Sequence, residues 1–207
     1  GSTAGLVPSF DTNGFTVSNH TNVNGINESY VAWCWKLTNT TSINTDGARS
    51  ATIAVNDALG LSISTHTAVA NNTATTVGHG LSATPDFFMA KNLSANSRAW
   101  RLFNRSSPSG KETFSLPSEE AGYSFFADPT SSVINIPVST TVGTSTSTGN
   151  GEIIAFWAMR NTNFMQFGTY LCGSGTVTVD GLPFQPRFVI TKALDSGDAW
   201  DRVYVQD

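Results

Sequence analysis

Residues 76–91 read TVGHGLSATPDFFMAK, and residues 177–192 read VTVDGLPFQPRFVITK. Gly80 and Leu81 fall on Gly181 and Leu182, Pro85 on Pro186, Phe87 on Phe188 and Lys91 on Lys192. The separation is constant (181 − 80, 186 − 85 and 192 − 91 all give 101). Each stretch carries a β-prone run, a glycine turn, a proline, and then an apolar strand ending in lysine. In the first, Phe87 and Met89 alternate with Phe88 and Ala90; in the second, Phe188 and Ile190 alternate with Val189 and Thr191. Runs of aromatic and β-branched residues with period two are the pattern of a strand with at least one buried face. Proline is tolerated at the foot of such a strand, where its missing N–H breaks no ladder bond. The recurrence predicts one structural unit used twice.

Composition narrows the rest. Only 13% of the residues are charged and the net charge is −4. Clustered Lys and Arg, which phosphate contacts demand, are missing, so no nucleic-acid partner is expected. The polar load lies in Thr, Ser, Asn and Gly, which suit strand surfaces and turns and are poor helix formers. No apolar run is long enough for a membrane-crossing helix, so no membrane insertion is expected. The opening GSTAGLVPS reads as a cut within a longer protein. Cys34 and Cys172 make no disulfide framework. Free, buried thiols are the expectation, with a single bridge between them left open.

Working outward, residues 10–17 (FDTNGFTV) set apolar positions around the turn signal Asn13 and Gly14. Residues 30–36 (YVAWCWK) place Tyr30, Ala32 and Cys34 on one face and Val31, Trp33 and Trp35 on the other. Both faces are apolar, which predicts a central strand between two packed layers. Residues 38–50 read as a polar surface loop. Residues 61–67 (LSISTHT) alternate cleanly, with Leu61, Ile63 and Thr65 expected to face inward. Residues 153–160 (IIAFWAMR) are the counterpart of 30–36, residues 167–172 of 63–68, and Ala199 and Trp200 of Ala99 and Trp100. Residues 106–111 (SSPSGK) have the makeup of a linker or exposed turn. The expected division is therefore 1–109 and 110–207, two tandem antiparallel β-sandwich units related by internal duplication. No segment shows apolar residues at helical spacing over three turns. The fold class is all-β.

Chemistry is sparse. His20, His66 and His79 do not repeat between the two halves, since Asp180 stands where His79 does, and a zinc site needs three or four converging ligands. Asp195, Ser196, Gly197, Asp198 and Asp201 resemble a small calcium loop, but Asp and Gly are also what a β-turn uses. Glu28 and Glu152 precede matching strands, and a solvated edge explains them as well as a catalytic pair does. No G-x-S-x-G is present, and Cys34 sits in an apolar run. Trp100 and Trp200 are assigned to packing. The reading is of a protein with no catalytic, cofactor-binding or metal residues, and no cofactor; it is not read as an enzyme.

The stretches FDTNGFTV, YVAWCWK and VGHGLSATPDFFMAK, followed by a later Ala-Trp strand, resemble an uncharacterised duplicated β domain of bacteriophage virion structural proteins. Those proteins, chiefly of marine phages, are tail-fibre-like or other virion polypeptides. The resemblance runs from Phe10 to Val205 and departs at His66 and at residues 171–173. It brings no catalytic residues. It implies a virion location, as an extracellular particle component, and a role as a tail-fibre or capsid-attached appendage module, in scaffolding or host attachment. The implied partners are other virion proteins or self, in a homo-oligomer such as a trimer, and a host surface glycan. Two alternatives stand behind it: a lectin-like carbohydrate-binding module and, third, a glycan hydrolase.

Overall fold

The computed structural model describes residues 6–30, 32, 34–38, 40–68, 73–94, 100–107, 112–116, 123–124, 126–136, 153–191 and 202–205. Its elements are β1 (Ser9–Asp11), β2 (Gly14–Thr16), the one-turn α1 (Thr21–Asn24), β3 (Ser42–Asn44), β4 (Ala51–Asn56), β5 (Leu61–Thr67), β6 (Thr75–Gly78) and β7 (Phe87–Asn92). They continue as β8 (Trp100–Asn104), β9 (Glu112–Leu116), β10 (Tyr123–Ser124), β11 (Val133–Ile136), β12 (Ile153–Met159), β13 (Phe188–Thr191) and β14 (Arg202–Val205). The fold class is all-β, as the composition requires.

The organising stretch becomes β6, a turn at Gly80, and β7. Gly80 has φ +71°, and a Cβ there would lie 2.5 Å from Ile53 Cδ1. Glycine alone meets both demands, because it carries no Cβ to clash in the left-handed region. β7 then enters an eight-stranded antiparallel sheet of order β10-β9-β8-β7-β12-β5-β4-β3. β12 lies between β7 and β5 and pairs with both along its length, from Ile153↔Thr67 to Met159↔Leu61 on one side and from Ile154↔Asn92 to Met159↔Phe87 on the other. The connection holding residues 109 and 110 joins β8 to β9, which are paired neighbours. The principal sheet thus draws strands from both halves of the chain and is not itself divided at 109/110.

A second layer makes the arrangement sandwich-like. The ribbon of β6 and β11 lies on one face of the sheet, where Val77, Ile134 and Ile136 pack on Ile53, Phe88, Ala90, Phe103, Ile154, Phe156 and Ala158. Phe88 is the hub: its ring stacks on Phe103 at 4.7 Å and meets Phe126 and Phe156 edge-on at 4.9 and 5.8 Å. Offset-stacked and edge-on rings are the preferred aromatic geometries, each contributing about 0.5–1.5 kcal/mol beyond area burial. The opposite face carries a smaller cluster of Leu61, Phe87, Leu102 and Met159. Leu37, Met89, Trp100, Trp157, Met165 and Phe167 partly cover it.

Several expectations are corrected. Residues 30–36 form no strand among the described positions. Tyr30 and Trp35 are 48% and 47% exposed, and Cys34 is exposed rather than buried. The slot such a two-faced apolar strand would fill, between β5 and β7, is occupied by β12. Cys172 is likewise exposed, and both cysteines are free. Residues 167–172 form no strand; instead Phe167 folds back to stack on Phe87 at 4.7 Å. The loop 38–50 contains the edge strand β3, paired to β4. In β5 the facing is reversed: Ser62, Ser64 and His66 lie under the main core, opposite Ala158, Phe156 and Ile154, while Leu61 joins the smaller cluster. The turn after β6 lies directly over this strand, close enough for Ser62 Oγ to donate to the His79 carbonyl. Small hydroxyl side chains fit that gap.

The second copy of the organising stretch keeps the glycine turn and the strand after it, while residues 176–179, the counterpart of β6, form no strand. Gly181 has φ +76°, and β13 pairs with β14 from Phe188↔Val205 to Thr191↔Arg202. β7 pairs with β8 from Phe87↔Asn104 to Ala90↔Arg101, the same register displaced by 101 residues (188 − 87 and 205 − 104). This register sets Arg202 in the place of Arg101, so Asp201 is one extra residue after Trp200 and the tryptophans are offset by one. Burial differs between the copies. Phe87 and Phe88 are buried, whereas Phe188, Val189 and Ile190 are 48%, 38% and 40% exposed.

Candidate functional site

Buried polar groups gather on the inner face of the sheet. The Gly78–His79–Gly80 bend holds the His79 ring in the protein: Nδ1 accepts from the Leu81 amide at 3.1 Å, and Nε2 lies 3.2 Å from the Thr130 carbonyl. A ring nitrogen that accepts a backbone N–H carries no proton, so Nε2–H is the donor to Thr130. Burial lowers the pKa of His79, opposed by the Thr130 bond and by Asp46. This imidazole is a neutral clamp between the β6 turn and the approach to β11.

His66 lies at the other end of the same layer, stacked on Phe156 at 5.7 Å and floored into a depression of about 180 Å³ rimmed by Ile43, Ser50, Thr52, Thr67 and Ile153. Burial pushes its pKa down to about 4, with the Arg49 guanidinium as the second cause. Arg49 is fixed by donating to the Thr67 carbonyl at 3.2 Å. The His66 Nδ1 is buried without a hydrogen-bond partner. Burial near a cation favours the uncharged ring. A second depression, about 410 Å³, is bounded by Ala48, Ala74, Thr75, Thr76, Ala127, Asn135 and Ile136. Neither depression is lined by Trp, Tyr, Phe or a carboxylate.

Two carboxylates, Asp57 and Asp86, hold loops together. Asp57, in the β4–β5 turn, accepts from the Ser82 amide at 2.9 Å, the Ser82 hydroxyl at 2.7 Å and Arg160 at 3.3 Å. The Ser82 bonds, with Arg160, hold its pKa below the usual carboxylate value. Asp86, buried at the foot of β7, takes an ion pair from Arg105 and the Asn161 amide at 2.7 Å. Together they pin both chain crossings at the end of β12. Sequence reasoning passed over this pair, though a signal was there: continuing the β7–β8 register by one residue sets Asp86 opposite Arg105. Neither carboxylate lines either depression.

The other sequence candidates scatter. His20 caps α1, its Nδ1 accepting from Asn22 at 3.1 Å. Glu28 accepts from the Tyr30 hydroxyl at 2.7 Å. Trp100 and Trp157 pack against each other at 5.0 Å on the partly covered sheet face. Glu152, the Asp195–Asp201 loop, Trp33 and Trp200 lie outside the described residues. Among the described residues no three His, Cys, Asp or Glu side chains converge as metal ligands, and no helix is long and apolar enough to cross a membrane.

What stands out chemically is apolar surface. Tyr170, Leu171, Val177, Val179 and Leu182 are exposed along the segment leading to β13, and the β13 side chains are exposed on both faces of the hairpin. Exposed apolar surface of this kind is what protein and ligand contacts use. No curated protein and no solved structure matches the chain. A family model described as "Domain of unknown function (DUF7483)" matches residues 2–205, and the chain belongs to that family.

Proposed function

We propose that this chain is a non-enzymatic building module of a bacteriophage virion, part of a tail-fibre or capsid-attached appendage, that assembles with itself or with other virion proteins. The observation that carries the reading is β13, a strand paired with β14 whose apolar side chains are exposed on both faces. It repeats the backbone of a hairpin that is buried elsewhere in the same chain. A hairpin of this size is marginal in water by itself and needs further strands or a packed face. Two editions of one unit, 1–109 and 110–207, account for the common register. The weakly charged Thr, Ser and Asn surface suits an extracellular particle, and Asp57 and Asp86, both occupied as loop pins, favour scaffold over hydrolase.

Immunogold labelling of purified particles with antibody raised against the domain tests the reading. Labelling at the tail or capsid surface is expected, and label confined to particle-free lysate refutes it. Screening on a glycan array separates scaffold from lectin. Saturable binding to one glycan class would move the assignment to the carbohydrate-binding alternative, with a host surface glycan as partner.

A further inference from the structure

Three observations converge on the free edge of β13. The hairpins β7–β8 and β13–β14 share one register, each preceded by a glycine at positive φ. β7 is a central strand, with β12 on its other side, whereas β13 pairs among the described residues with β14 alone. The strand that completes β7 also has a sequence relative. Residues 152–160 read EIIAFWAMR and residues 28–36 read ESYVAWCWK, with Glu152 on Glu28, Trp157 on Trp33 and Arg160 on Lys36. β12 comes from the C-terminal half of the chain to complete a sheet begun by the N-terminal half. Residues 30–36 are the N-terminal half's edition of that strand; their described positions lie outside the sheet, with Tyr30, Ala32, Cys34, Trp35 and Lys36 all exposed.

We propose that β13 is completed by residues 30–36 of a second copy of this chain, added antiparallel on its free edge as β12 is added on β7. Both ends of the donor segment are held to their own molecule. Leu37 packs beside Leu61, Phe87, Leu102 and Met159, and the Tyr30 hydroxyl is bound by the Gly25 amide and Glu28. Among the described residues of one molecule the segment does not pair with β13, so each offers an edge to another copy. Strand addition satisfies the open ladder of β13 and covers Phe188, Val189 and Ile190. Donor and acceptor are different surfaces, so the contact is heterologous and builds a ring or an open filament. The inference supplies the partner that the building-module reading requires, and it rests on that reading.

The β12–β7 pairing fixes the register. Met159↔Phe87, Ala158↔Phe88 and Trp157↔Met89 carry over as Trp35 opposite Phe188, Cys34 opposite Val189 and Trp33 opposite Ile190. Directly opposed residues lie within disulfide reach. In a Cys172→Ser background, Val189→Cys is expected to give, on mild oxidation, a ladder or closed ring of covalently linked chains on a non-reducing gel. Linkage disappears with Cys34→Ser. It falls at least about tenfold when Ile190→Cys replaces Val189→Cys, because a one-residue step turns the thiol to the other face. Trp35→Pro, at a position that is in no strand of the single chain, should return the protein to monomer by light scattering with unchanged far-UV circular dichroism.

In the Val189→Cys variant, a bond from Cys34 to the introduced thiol of the same monomer overturns the exchange between copies, as does an oligomer that survives Trp35→Pro. Oligomers without the cross-link overturn it too and leave the building-module reading standing. A folded chain that stays monomeric at every concentration and is absent from labelled particles removes both.

Discussion

Replacing Phe88 with alanine removes the ring on which the inner layer converges. Phe88 is 0% exposed and touches Phe103, Phe126 and Phe156 at centroid distances of 4.7, 4.9 and 5.8 Å. Truncating a buried phenylalanine costs about 3–5 kcal/mol, through lost transfer energy and the cavity left behind. Three ring contacts in favourable geometry place this site in the upper part of that range, at about 4 kcal/mol. Domains carry about 5–15 kcal/mol in total, so the variant keeps little margin. Urea unfolding followed by tryptophan fluorescence reads the change. With a slope of about 2 kcal/mol/M, the midpoint falls by about 2 M. Val189, which occupies the matching place in the second hairpin, is 38% exposed. Val189→Ala should therefore cost no more than about 1 kcal/mol in the monomer. A loss below about 1 kcal/mol at Phe88, or equal losses at the two sites, would refute the assignment of the main core to the first hairpin.

Gly80→Ala places a Cβ 2.5 Å from Ile53 Cδ1 at φ +71°, while Gly14→Ala meets nothing within 4 Å. The first should lower stability by at least about 1–2 kcal/mol, the left-handed cost alone, and the second should leave the melting temperature close to wild type. His66 titrates near 4 in the folded chain against 6.5 when unfolded. Between those values the unfolded chain binds the extra proton, so stability is full above about pH 6.5 and falls as pH drops toward 4, by up to about 3 kcal/mol. Urea midpoints measured from pH 7.5 to 4.5 should show that slope, and His66→Leu should flatten it; an unchanged slope in the variant would place the titrating group elsewhere.

What could be read from residues alone was local. Glycines at 80 and 181, prolines at 85 and 186, and the period-two runs after them mark two strands, each preceded by a glycine at positive φ and each paired with its next strand in the same register. Turn chemistry and side-chain alternation act over a few bonds, so they survive whatever the rest of the chain does. The strand 153–160 was legible for the same reason, as was the absence of long helices among the described residues.

Which strand lies beside which was decided by tertiary structure. Residues 30–36 and β12 carry the same two-faced apolar pattern, and the pattern cannot choose between them. β12 takes the slot between β5 and β7, and the described residues of the other stretch stay outside. The facing of β5 was equally open, because both faces of the sheet bury apolar side chains; only the turn lying over Ser62 shows which side needs small ones. Asp86 gains Arg105 and Asn161 from 19 and 75 residues away. Such contacts depend on how loops close through space. Alternation along a strand fixes neither the neighbour nor the layer, and that is the physical reason the local elements were readable while the assembled sheet was not.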